Sequence, residues 1–287
     1  MKLHTECVPC FFRALQVICA RLKVPRATTE QIMRDVMQFI STASWDRSPI
    51  ALAHHMHRIL RDHLGYDPYL AAKEQSNQVM MSHLVQLQKL VRSQTDPLES
   101  AMRLAAAANA IDFGLVEHLP DPNTIIREGL TNEISINHID QFKKDLTKAR
   151  RLLWFCDNAG EIVFDRVALE LIGELYPGLE TIEICLKGGP IINDAQLADA
   201  EACGLDRVPR ARLVTIGNGT PGTGPDRDSD EVAQWVGRPD QVVVSKGQAN
   251  FEGLSEYTGI YYCLKLKCPP VAAAANGPLN GLVLLYR

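Results

Sequence analysis

No stretch of this 287-residue chain is apolar for long enough to cross a bilayer, which takes about 20 helical residues. The opening segment, Met1 to Arg13, lacks an uninterrupted apolar core followed by a cleavage signal, so it does not read as a secretory leader. These two absences point to a cytoplasmic protein with no membrane partner. Positive charge is also in short supply: 30 Lys and Arg stand against 34 Asp and Glu, for a net charge of −4. No basic stripe with interleaved aromatics is present, which leaves nucleic acid without a footprint. Internal repeats and low-complexity tracts are missing too. A disulfide framework is not expected from the 8 cysteines, because a reducing compartment keeps thiols free. Cys156, Cys185, Cys203 and Cys263 lie in or beside apolar runs and read as small buried hydrophobes.

The chain does have 46% hydrophobic and 22% charged residues, an ordinary globular balance that allows one large α/β unit or two moderate domains. Helical spacing of apolar residues runs through 10–22, 29–40, 49–64, 68–91 and 97–113, with Pro25, Pro49, Pro68 and Pro97 near the starts. The alanines Ala105 to Ala108 read as helix-favouring filler. After about Arg150 the pattern changes to short β-rich runs at 152–156, 181–186, 213–216, 242–245, 260–266 and 281–286. Between the first two, 162–175 is apolar along one helical face, and 232–236 and 271–275 are shorter helical candidates. Near-continuous apolar strands separated by helices imply a parallel sheet covered on both faces. The expected architecture is therefore α/β. A helical domain spans 1–148, and a Rossmann-like, mostly parallel sheet with flanking helices spans 149–287.

In open parallel sheets, ligands bind beyond the carboxyl ends of the strands. Those positions carry Asp157-Asn158-Ala159-Gly160-Glu161, then Lys187 to Asp194, then Gly217-Asn218-Gly219-Thr220, then Lys246 to Glu252, and finally Lys265 to Cys268. Two carboxylates and an amide oxygen, Asp157, Asp194 and Asn158, are hard donors suited to Mg²⁺ or Mn²⁺. Lys246 and Lys267 suit a phosphate and its developing charge. Asn193, Asn218, Asn250 and Glu252 lie on the same rim as candidates for contacting a substrate. Asn109 and Asp112, three residues apart, share one side of a helix and are placed to contact substrate or the groups behind it. Each residue also has a plain structural reading. Asp157-Asn158 caps the following helix, Asp194 forms a turn, Glu161 favours a first helical turn, and Asn109 and Asp112 end a helix before Gly114. Only their joint placement at successive strand ends favours function.

Four of these segments resemble the damage-control phosphatases, a metal-dependent family. They are Cys156 to Glu161, Lys187 to Ala195, Ser245 to Glu252 and Asn109 to Gly114. The 220–223 loop and the Lys265 to Cys268 end look familial as well. The resemblance spans nearly the whole chain and implies a helical region beside a Rossmann-like domain. It further implies one divalent cation, manganese, cobalt, nickel or magnesium, held by Asp157, Asn158 and Asp194. Catalysis would fall to Asp157, Glu161 and Asp194, and the substrate would be a small phosphorylated metabolite such as a sugar phosphate. Lys246 and Lys267 carry over as phosphate contacts. At the second, the eukaryotic branch has Arg-Thr-x-Lys, whereas this chain has Leu264-Lys265-Leu266-Lys267.

Three weaker signals remain. Cys7-Val8-Pro9-Cys10 with His4 nearby suggests a zinc or redox role, or packed thiols at a helix start, and no second CxxC completes a four-ligand site. Gly217 to Gly222 matches G-x-G-x-x-G, yet Pro225 and charges follow where a dinucleotide fingerprint needs a helix, so a substrate-facing loop is preferred. His54, His55, His57 and His63 share a helix without an HExxH pattern and read as solvated or partly packed. Two other functions compete with phosphate ester hydrolysis. S-adenosylmethionine-dependent carboxyl methylation would need a glycine-rich first loop and an acidic partner after the second strand, where Lys187 stands. The other is a non-catalytic metal or phosphate module.

Overall fold

The computed structural model describes residues 1–113, 118–216 and 229–287. Asn218, the 220–223 loop and the G-x-G-x-x-G match fall outside the described residues. Helices α1 (Cys7–Arg21), α2 (Arg26–Thr42), α3 (Pro49–Leu64), α4 (Leu70–Met81), α5 (Leu84–Arg92), α6 (Pro97–Ala108) and α7 (Pro122–Thr131) precede β1 (Ile134–Asn137) and α8 (Ile139–Leu146). Then come β2 (Arg151–Phe155), α9 (Glu161–Leu175), β3 (Thr181–Lys187), α10 (Leu197–Ala202), β4 (Ala211–Ile216) and α11 (Ser229–Val236). The chain closes with β5 (Gln241–Lys246), α12 (Gln248–Leu254), β6 (Ile260–Lys265), α13 (Pro269–Ala275) and β7 (Leu282–Tyr286). Among the described residues no helix is long and apolar enough to cross a membrane.

Seven strands form one sheet in the order β1-β7-β6-β5-β2-β3-β4. The five strands β6-β5-β2-β3-β4 run parallel, and β7 pairs antiparallel with β6. The mostly parallel α/β architecture read from the sequence is the one observed. Strand β1, which the hydrophobic pattern did not reveal, precedes the expected 148/149 boundary and takes the sheet's edge. Side chains alternate cleanly through the strands. Leu152, Trp154, Val242, Val244, Tyr261 and Cys263 enter the core beneath α6 and α9, while Leu153, Phe155, Val243, Tyr262 and Leu264 enter the core beneath α12 and α13. A third apolar cluster joins α1, α2 and α3 to Phe113 and Ile191.

Two expected helices differ in extent. The run 68–91 divides into α4 and α5, because the Ser82 hydroxyl donates to the Val79 carbonyl (2.6 Å) and the turn closes at His83. The run 97–113 stops at Ala108, where Asn109 turns its amide toward the sheet. The alanine tract is not filler. Ala105 to Ala108 are all fully buried, and their small side chains let the α6 backbone approach the sheet closely enough for Lys246 to donate to the Ala105 carbonyl (3.0 Å).

Candidate metal and active centre

Strand order reverses between β2 and β5: from β2 the chain builds outward to β3 and β4, then returns to β5 and β6. A crevice at such a switch point is the usual ligand site of an open α/β sheet. The turn after β2 carries Asp157 and Asn158, and the turn after β3 carries Asn193 and Asp194. The two turns are tied by an antiparallel bridge between Asn158 and Asp194. Ala159 donates its N–H to the Asn193 carbonyl (2.8 Å), and Ala195 donates to the Asp157 carbonyl (2.7 Å). Two segments 37 residues apart thus become one platform.

The capping alternative for Asp157-Asn158 fails, because no side chain caps α9. Gly160, at φ +80°, gives its N–H to Asn77 Oδ1 (2.7 Å) instead. Asp194 does close a turn, donating its N–H to the Ile191 carbonyl (2.9 Å), yet α10 is capped by Gln196 and Asp199. The Asp157 and Asp194 carboxylates are therefore left for other work. Both are 3% exposed.

Asp157 Oδ2 accepts from Asn109 Nδ2 (2.9 Å) and Asn158 Nδ2 (2.7 Å), whereas Oδ1 is buried without a hydrogen bond. Asp194 Oδ2 is likewise buried without one, its nearest cation being Lys187 Nζ at 3.8 Å. Burial, then the charges of Glu161 and Asp194, push the Asp157 carboxyl well above its ordinary range. Burial pushes Asp194 up to about 7 against the pull of Lys187. Two buried carboxylates that are both pushed toward their neutral forms and each keep an unsatisfied oxygen fit a bound dication. The third donor would be the Asn158 amide. Among the described residues no three His, Cys, Asp or Glu are grouped to hold a metal, the CxxC region included.

Behind the platform lies a second charged group of a different kind. Lys246 Nζ donates to Glu161 Oε1 (2.6 Å), Asp165 Oδ1 (2.8 Å) and the Ala105 carbonyl (3.0 Å), and all three residues with a charge are fully buried. Each ammonium hydrogen has a partner, so the phosphate contact expected of Lys246 is replaced by an internal ion pair. Glu161 Oε2 accepts from Asn109 Nδ2 (3.1 Å) and Asn158 Nδ2 (3.0 Å). Glu161 therefore orients the Asn158 amide. Asn109, fully buried, holds Asp157 and Glu161 together rather than facing open space.

Three other expected substrate contacts serve different ends. Asn193 accepts from the Phe113 N–H (3.0 Å) and donates to the Ile111 carbonyl (3.2 Å), which clamps the segment after α6 against the platform. Asn250 donates to the Cys156 and Lys246 carbonyls (2.9 and 2.8 Å) and accepts from Lys187 Nζ (2.6 Å), bracing the ends of β2 and β5. Glu252 is half-buried, accepts from Gln248 Nε2 (3.3 Å), and is pushed up to about 7 by burial. At the rim, Lys267 Nζ donates to Asp112 Oδ2 (2.5 Å) and to the Asn109 carbonyl (3.0 Å). Burial pulls Lys267 down, but Asp112 and Asp157 outweigh it and raise it.

Sequence reasoning missed Lys187, Asp165 and Gly247. Lys187 was marked only as a charge at the end of an apolar strand, a position it shares with Lys246 and Lys265. Asp165 follows Glu161 by one helical turn on an otherwise apolar face. Gly247 has φ +80°, and a Cβ there would lie 1.9 Å from Asp157 Oδ2, so only glycine lets the backbone after β5 pass the carboxylate. The histidines of α3 are not solvated as a group: His54 and His57 are buried, and His63 pairs with Asp35 (2.7 Å).

Fold and site together define a doubly wound α/β protein with a buried acidic centre at its switch point. The family model of the damage-control phosphatase ARMT1-like domain matches residues 3–283, and the chain belongs to that family. It is 30% identical over 227 residues to a damage-control phosphatase of Archaeoglobus fulgidus, covering 77% of this chain and 76% of that one. With an uncharacterized protein of Methanocaldococcus jannaschii it shares 30% identity over 300 residues, 100% of this chain and 96% of the other. The crystal structure of a DUF89 family protein from Pyrococcus horikoshii superposes with a TM-score of 0.84 at 26% identity, covering 100% of this chain and 99% of that chain.

Proposed function

We propose that this protein is a divalent-metal-dependent phosphatase that hydrolyses small phosphorylated metabolites, sugar phosphates among them. The observation that carries the proposal is the pair of unsatisfied carboxylate oxygens, Asp157 Oδ1 and Asp194 Oδ2, on two bridged turns at the switch point. Asp157, Asn158 and Asp194 would hold one Mn²⁺, Co²⁺, Ni²⁺ or Mg²⁺ ion. Such an ion, when bound, polarises a phosphoryl oxygen and orients an attacking water. Asn109 and Asn158 fix the Asp157 carboxylate through two N–H donors, and Glu161 holds both amides in place. Lys267 has two of its three N–H groups engaged, which leaves one for a phosphate oxygen, and Asp112 keeps it charged and aimed. Lys187, beside Asp194, balances the acidic platform.

The relatives named damage-control phosphatases support the reaction class. The test is phosphate release from a panel of sugar phosphates with each of the four metals. Asp157→Ala should lower the rate by at least about 10²–10³-fold. Methyl transfer without phosphate release, or metal binding without turnover of any ester, would reject the proposal in favour of a methyltransferase or a binding module.

A further inference from the structure

Away from the acidic platform, three side chains carry buried polar atoms with no hydrogen bond among the described residues, and they meet around one ring. Arg21, the last residue of α1, has both terminal guanidinium nitrogens buried without a hydrogen bond. Its Cζ lies 5.3 Å from the Tyr69 ring centroid and 4.9 Å from that of Phe113. The Tyr69 hydroxyl, on a residue 1% exposed, is unbonded as well. His57, also 1% exposed, packs edge-on against Tyr69 with centroids 5.6 Å apart, and neither ring nitrogen has a partner.

Ring packing accounts for the carbon atoms of this group but leaves its hydrogen-bonding atoms unexplained. Buried polar groups without partners are rare because each one forgoes its bonds to water. Here the end of a planar cationic fork, a phenol and an imidazole are orphaned together, and among the described residues no carboxylate is bonded to these atoms. Burial lowers the pKa of Arg21, and pushes that of His57 down to about 3, so the imidazole is neutral and can donate from one nitrogen. The partner that satisfies all three is an anion with several acceptor oxygens.

The group connects to the candidate active centre through Phe113. Phe113, on which Arg21 stacks, is held by Asn193, the neighbour of Asp194. His57 lines a cavity of about 260 Å³ together with Asp112, Ile192 and Gln248. Of these, Asp112 bonds the Lys267 ammonium, and Gln248 accepts from the Lys267 backbone N–H. His57 and Asp112, the partner of the Lys267 ammonium, thus line one cavity.

We infer that Arg21, Tyr69 and His57 form a subsite for a second anionic group, carboxylate or phosphate, on the organic part of the substrate. The inference rests on the phosphatase reading for the first phosphate and narrows the substrate class to phosphomonoesters with two anionic ends.

Matched pairs separate the two anions: phosphoglycerate against glycerol phosphate, and fructose bisphosphate against fructose monophosphate. The wild type should show a KM at least about tenfold lower for the doubly anionic member of one pair. Arg21→Met should bring that ratio to about one through KM rather than kcat, and Arg21→Lys should restore part of it. Equal KM values in both pairs, or a preference that survives Arg21→Met, would overturn the subsite. Ligand-free Arg21→Met should melt near the wild type, since the terminal guanidinium nitrogens lose ring contacts but no hydrogen bond; a large drop would make Arg21 structural and also overturn it. If no ester is turned over, the phosphatase reading fails separately. Calorimetric titration of chelator-treated protein with inorganic phosphate and with malonate then decides the subsite. Binding to the wild type that Arg21→Met abolishes supports it, and no binding to the wild type overturns it.

Discussion

The Lys246–Glu161–Asp165 cluster and the Asp157–Asp194 platform lie side by side and are both buried, yet their charges are met differently. In the first, every ammonium hydrogen has an acceptor and each carboxylate bonds the shared cation directly, although Asp165 Oδ2 is buried without a hydrogen bond and burial pushes Asp165 up to about 6. In the second, two carboxylates keep unsatisfied oxygens and are pushed toward their neutral forms. Burial by itself therefore says little about function. A buried carboxylate bonded directly to a cation braces the fold, and one without a bonded cation is free to take a ligand. Asn109 and Asn158 join the two groups, each donating to Asp157 and to Glu161.

The contrast can be broken most forcefully at Lys246. Lys246→Met leaves Glu161 and Asp165 buried without their cation and should destabilise the protein by about 3–5 kcal/mol, read from the denaturant midpoint. Asp157→Asn removes a buried carboxylate that bonds two amides but no cation, and should cost little or raise stability in chelator. Equal losses for the two variants would erase the distinction.

Gly247 sharpens the same contrast from the platform's side. Gly247→Ala places a methyl group on the Asp157 carboxylate at a left-handed φ, and a loss of at least about 2 kcal/mol, together with loss of metal binding, is expected. Unaltered calorimetric affinity for Mn²⁺ would show that the carboxylate is not held by this backbone.

Asn109→Ala acts on the link between the groups. Removing a residue that orients a metal ligand lowers metal affinity by about 10–100-fold, and calorimetry should find that range. No change would mean that Asp157 is held adequately by Asn158 alone.

The gentlest test is pH. Asp194 sits at about 7 in the folded chain against an ordinary 3.8, so the folded state binds its proton more tightly. That contribution favours the fold at low pH and is lost as pH rises from about 4 to about 7. Asp157 shifts in the same direction. The melting temperature in chelator should therefore fall across this window, and saturating Mn²⁺ should flatten the fall by holding the carboxylates ionised. Parallel curves with and without Mn²⁺ would remove the metal from these two residues.

Six of the seven strands, the helical first half and the rim of polar strand ends were legible in the sequence, because apolar periodicity is a local property and strand-end chemistry follows from it. Strand β1 escaped because four residues of edge strand, only partly buried, carry no clear alternation. The split of 68–91 escaped because Ser82 competes for a carbonyl only once the turn exists. At the site, the sequence alone determined the residue types and their order: Asp157, Asn158 and Asp194 beyond strands that had to be parallel neighbours. Tertiary structure alone decided which charges are satisfied. Lys246 and Lys267 look alike as lysines after consecutive strands, yet one meets two carboxylates and a helix carbonyl inside the core, and the other reaches the rim. Partnership among buried charges depends on helices α6 and α9 arriving from distant parts of the chain, and no local pattern encodes that meeting.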